Sequence, residues 1–139
     1  MSTDIRPEVS RKNRYWIERH RYYELKHFCL QYRTWKKNYA VLCNVRLPSA
    51  QLEKMPTTNA VTDLTARCAI EKATYFERIS LIERVAMETD KYLYGYILKA
   101  VTEGLSYTYL KTKLGLPCGK DLYYDRYRRF FWLLSKARD

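Results

Sequence analysis

The side chains with most to offer a ligand lie near the end of the chain. Lys120, Tyr124 and Arg128 recur every four residues and so share one flank of any helix they form. Arg129, Asp121 and Asp125 stand beside them. Cationic side chains can hold backbone phosphates, and a guanidinium can donate two parallel hydrogen bonds to the edge of a guanine. The two carboxylates fit more than one use: accepting from cytosine, orienting the arginines, or binding a protein instead of DNA. Lys111 and Lys113, just upstream, and Arg11, Lys12 and Arg14, near the start, complete the set expected to contact DNA. All of this is binding chemistry. The chain has no phosphate-cradling glycine loop, no H-E-x-x-H and no evident cysteine–histidine–acid arrangement, so no catalytic residue is assigned and no enzyme is expected. Cys29, Cys43, Cys68 and Cys118 lack C-x-x-C spacing, and His20 and His27 share a helix face without a ligand pair beside them. Neither metal nor cofactor is expected.

These residues need a scaffold, and the flanking sequence supplies one. Ser106 is a good N-cap for a short helix ending at Gly115, Pro117 cannot continue it, and Gly119 lets the chain turn. A second helix is predicted from Lys120 to about Lys136. Two helices joined around a glycine make a helix-turn-helix, whose second helix is the candidate reader of a major groove. At 100° per residue, Tyr123, Tyr127, Phe130 and Leu134 fall on the presumed core side. Asp121, Asp125, Arg128, Arg129, Trp132 and Lys136 fall opposite.

Upstream, a polar start through about Ser10 precedes a helix expected from Arg11 to Gln31, with Trp16, Ile17, Tyr23, Leu25, Phe28 and Leu30 apolar. Its aromatics interleave with Arg and Lys, a mixture that suits either nucleic-acid stacking or an amphipathic helix with solvated cations. The core reading is preferred for the aromatics, with Trp16 and Trp35 buried. A shorter helix follows from Arg33 or Thr34 to about Asn44, then a loop with two prolines from Leu47 to Asn59. Asp63 is expected to cap a long helix to about Glu88. Leu64, Cys68, Tyr75, Ile79, Ile82 and Ala86 form its inner stripe, and Glu71, Lys72, Glu77, Arg78, Glu83 and Arg84 form a solvated outer face. Thr89 is expected to cap a support helix from Lys91 to Val101. The predicted fold is therefore all-α, with an N-terminal helical pair, a long central helix and a C-terminal helix-turn-helix sharing one core. Residues 1–62 form a basic N-terminal region and residues 63–139 carry the central helix and the motif.

Net charge is +11 over 139 residues, and it is segregated. Residues 1–62 carry 12 basic and 5 acidic side chains, net +7; residues 63–103 carry 6 and 7, net −1; residues 104–139 carry 8 and 3, net +5. Such segregation suits a polyanionic ligand, with the middle as scaffold and the ends as contact surfaces. The absence of an apolar signal segment or membrane-length run, together with unpaired cysteine spacing, leads to the expectation of a reduced cytoplasmic protein.

Gly104, Ser106, Leu110, Leu114, Gly115 and Leu116 hold the places of G-x-S-x-x-x-[I/L]-A-x-x-L-G-[V/I]-S, so the segment resembles the promoter-reading end of bacterial sigma factors. Lys111 replaces the small alanine of that pattern, Pro117 replaces its serine, and the turn before Leu122 is one residue longer. Over roughly residues 20–136 the layout resembles the phage late-gene transcription activators of the RinA/ArpU type. ELKHFCLQYRTWKKNYAVL (24–42), a proline-containing loop, TARCAIEKATYFERISLIERV (65–85) and a sigma-like motif follow in that order. The resemblance implies sequence-specific binding to double-stranded DNA upstream of late operons, in the cytoplasm of a bacterial host. Two other readings stay open: a module that docks on RNA polymerase or another host complex, and a small DNA-packaging subunit. Monomer and dimer are both compatible with the sequence.

Overall fold

A computed structural model describes residues 11–44 and 59–139, with backbone alone for residues 59–62. The described residues are all-helical, with no strand: α1 Arg19–Leu30, α2 Tyr32–Asn44, α3 Asn59–Thr89, α4 Tyr94–Glu103, α5 Tyr107–Lys113 and α6 Lys120–Ala137. The predicted loop from Leu47 lies outside the described residues, apart from Asn59, which is already helical. The boundary drawn between residues 62 and 63 falls inside α3.

Local side-chain chemistry explains where the helix starts differ from expectation. Residues 11–18 are not helical, because side chains there compete for the backbone. Asn13 accepts from the Tyr15 N–H through Oδ1 at 2.8 Å, and its carbonyl accepts from the Trp16 N–H at 3.0 Å. The helix begins only after Glu18, whose carboxylate accepts from the N–H groups of His20 and Arg21 at 2.9 and 3.2 Å. Helix α3 starts four residues before Asp63, since no Gly or Pro from Asn59 to Asp63 breaks it. Thr89 ends α3 rather than capping α4: its hydroxyl donates back to the Val85 carbonyl at 2.8 Å. Asp90 instead holds the turn that leads into α4, with Oδ1 accepting from the N–H groups of Tyr92 and Leu93 at 2.8 and 2.9 Å, while the N-cap residue Leu93 offers no side-chain cap. Helix α4 then runs to Glu103 and stops where Gly104 adopts φ 70°. The N–H groups of Gly104 and Leu105 both return to the Ala100 carbonyl there.

One core joins all six helices. Tyr22, Leu25, Trp35, Ile82, Val85 and Ile97 meet Leu110, Tyr123, Phe130, Phe131 and Leu134 in it. Helix α6 packs against α1, α3 and α4, and α2 lies along α3. The Phe131 ring meets Tyr22 edge-on at 5.1 Å, and the hydroxyls of Tyr22 and Tyr127 are 2.8 Å apart. The end of α6 is tied to α1 by polar contacts as well. The Arg21 guanidinium donates to the Ser135 hydroxyl and carbonyl and to Asp139, while Arg138 lies 3.9 Å from the Phe28 ring centroid. Trp35 is buried as expected, but Trp16 is only half-buried. In α3, Ile79, Ile82 and Ala86 are buried, whereas Leu64 is exposed and Cys68 and Tyr75 are half-buried. The first half of that helix runs beyond the core.

Asp90 gives the fold a pH signature. Burial works to raise its carboxyl, but the Leu93 and Tyr92 N–H groups and the Arg126 guanidinium outweigh burial and hold it below its ordinary 3.8. A depressed folded-state value stabilises the protein above the unfolded value and loses that contribution as pH falls through the folded one. Thermal melts should therefore show Asp90→Asn less stable than the parent at neutral pH, with the gap closing below about pH 4. A gap unchanged down to strong acid would assign the loss to packing instead.

Candidate nucleic-acid interface

The two helices predicted on either side of the Gly115 turn are present as α5 and α6. The Ser106 hydroxyl accepts from the Tyr109 N–H at 3.2 Å. Gly115 has φ 67° and bends the chain so that the N–H groups of Leu114 and Leu116 both reach the Leu110 carbonyl. A β-carbon at Gly115 would meet nothing, so the left-handed backbone rather than crowding requires glycine there. Leu110 and Leu116 are buried and fix the turn against the core.

Lys111 is turned to a different use from the one expected. Its ammonium donates to the carbonyls of Leu116 and Cys118, both at 3.2 Å. The alanine of the sigma-like pattern could not make these bonds. The lysine therefore accompanies the longer turn through Pro117 and satisfies carbonyls that the turn leaves outside any helix. Cys118 is buried beside this clamp; burial raises its thiol above the ordinary value, with Lys111 opposing and Asp90 adding to the rise.

Tyr124 also departs from the expected arrangement. It is buried rather than facing a groove, with its ring 5.9 Å from Tyr107 and 5.2 Å from Tyr123. Tyr123 is buried as expected, and because α1, α3 and α4 all pack on α6 the buried sector widens to take in Tyr124 and Phe131. Tyr127, which falls within that sector, is only half-buried.

Outside the buried sector, the start of α6 faces solvent. Lys120, Asp121 and Leu122 are exposed, and Asp125 and Arg128 are half-exposed. Lys113, at the end of α5, is exposed too. Leu122, which sequence reasoning passed over, puts an apolar side chain on the presented turn, where a thymine methyl could meet it. Arg126 was also missed, yet it organises this end of the helix. Its guanidinium donates to Asp90 at 3.0 Å and to Asp125 at 2.7 Å. That pairing offsets the Asp125 charge, so this carboxylate need not repel a phosphate. The i,i+1 spacing of Asp125 and Arg126 hid the pair, since neighbours on a helix do not ordinarily face each other.

The segment before α1 touches the second half of α6 through Tyr15. Tyr15 is buried with its ring 5.4 Å from that of Trp132, and its hydroxyl accepts from Arg129 Nη1 at 3.3 Å. Arg129 Nε is buried and has no hydrogen-bond partner. Arg129 is therefore committed to holding the N-terminal segment as much as to any ligand. Arg11, Lys12 and Arg14 are exposed on that segment, with Arg14 over the Tyr15 ring at 4.6 Å and Arg11 over Trp16 at 5.9 Å. The two basic ends of the sequence thus meet along α6.

Among the described residues there is no cluster of three potential metal ligands, and no helix is long and apolar enough to cross a membrane. Compared with known proteins, the chain matches no family model, no curated protein and no solved structure.

Proposed function

We propose that this protein is a sequence-specific, double-stranded-DNA-binding transcription regulator, a binding protein and not an enzyme. One observation carries the reading. Helix α6 exposes Lys120, Asp121 and Leu122 at its start, while the segment that carries Arg11, Lys12 and Arg14 is held to its second half through Tyr15. Helix-turn-helix proteins use the start of the second helix for base edges. From Lys120 to Arg129 the helix rises roughly 14 Å, comparable with a major groove about 12 Å wide. A helix start in the groove would bring Arg11, Lys12 and Arg14 towards flanking phosphates. The resemblance to phage late-gene activators extends the proposal to late operons in a bacterial host's cytoplasm, with RNA polymerase as a further partner. A second reading, docking on a protein, is favoured by Asp121 and Leu122, an acidic and an apolar side chain exposed side by side on the presented turn.

Salt dependence separates the two. In gel shifts on duplex DNA, neutralising Arg11, Lys12 and Arg14 together should weaken all sequences alike. It should also flatten the log–log salt slope by about 0.9 for each phosphate that no longer meets a cation. An unchanged slope would make these cations solvated surface. No duplex binding by the parent at low salt would leave the protein-docking reading.

A further inference from the structure

Helix α3 was expected to show a charged, solvated outer face, but its first half carries an apolar one. Ala66, Ala69, Ile70, Ala73 and Phe76 are all exposed, with Ile70 66% and Phe76 57% accessible. At 100° per residue they share a sector about 120° wide, opposite the side that carries Ile79, Ile82 and Ala86 into the core. Between residues 66 and 76 no charged residue falls within it, since Arg67 and Lys72 project to its sides and Glu71 points away from it. Their spacing of three, one, three and three is that of a helix–helix seam, not of a solvated surface.

We propose that this face is a homodimer seam, on which α3 of a second copy lies antiparallel about a two-fold axis near Glu71. The sequence of the face complements itself in that register. Phe76 stands opposite Ala66 of the second copy, Ala69 opposite Ala73 of the second copy, and the two Ile70 side chains meet beside the axis. The large ring is set against a small residue, and the alanines let the helices approach closely. An isologous contact requires such self-complementarity.

Charge also fits a second copy best along this helix. Two chains of net +11 repel, but residues 63–103 carry only −1, against +7 and +5 on either side. The least repulsive approach between copies is therefore along α3, which leaves the basic surface around α6 open. The seam does not depend on α6 reading DNA; it would give two-fold symmetry to any ligand α6 recognises, and to an operator if that ligand is DNA.

Light scattering over a dilution series tests this. The parent should show twice the 16.8 kDa of one chain, and Ile70→Glu should shift it to a single-chain mass with unchanged helical circular dichroism. In a Cys43→Ser, Cys68→Ser background, a short bis-maleimide should link Ile70→Cys chains into dimers. Glu71→Cys, one residue along but pointing away from the seam, should link poorly. A single-chain mass for the parent at every concentration would overturn the proposal, whether residues 45–58 or an unrelated protein cover the face. A dimeric Ile70→Glu, or equal linking at 70 and 71, would overturn it too. Duplex binding by a monomeric parent would refute the seam while leaving the DNA reading intact.

Discussion

Replacing Phe130 with alanine should destabilise the protein by about 3–5 kcal/mol. The ring is wholly inaccessible and lies 5.1 Å from Phe131 in an edge-on pair. It sits on the helix that packs against α1, α3 and α4. Truncation removes the transfer energy of the ring and leaves a cavity that rigid helices on several sides cannot close. Since a domain of this kind has about 5–15 kcal/mol to lose, the variant should unfold at much lower urea. Phe76→Ala removes the same side chain from an exposed position and should cost far less in a single chain. A Phe130→Ala loss below about 1 kcal/mol would mean that α6 is not the centre of the core.

Much of this architecture was legible because local signals and tertiary packing agree. Ser106, Gly115 and Gly119 mark α5 and α6 by capping and backbone conformation, which neighbouring residues decide. Phe130 and Leu134 are buried where a simple wheel places them. The misses come from competition between levels. Trp16 and Ile17 fit a helical period, yet Asn13 and Glu18 take the backbone hydrogen bonds first and delay the helix. Tyr124 sits at the edge of a one-sided wheel, but three helices pack on α6 and draw it in. Lys111 looks like one more basic residue until the long turn supplies two carbonyls for it. The outer face of α3 was masked by counting its charges along the sequence; the angular gap between Lys72 and Arg67 shows only when side chains are placed around the axis.

Arg128→Ala should lose roughly 1–3 kcal/mol on the correct duplex and relax preference at one base position, with little effect on folding. Arg128 is half-exposed on α6, past the presented first turn and clear of the buried sector. Arg126 spends its charge on Asp90 and Asp125, and Arg129 donates to Tyr15 beneath the N-terminal segment. Of the three arginines in this part of α6, Arg128 is the one whose side chain is best placed for a base edge. Arg129→Ala should behave differently: it removes the hold on Tyr15, so it should lower stability as well as weaken specific and non-specific duplexes together. Competition titrations against scrambled duplex, run beside urea melts, distinguish these outcomes. If Arg128→Ala binds specific duplex like the parent and loses a protein partner instead, the exposed Asp121–Leu122 turn is the working surface and α6 is a docking helix. Pairing of Asp125 with Arg126 removes one of the two carboxylates that would otherwise favour that outcome, leaving Asp121 alone at the mouth of the groove.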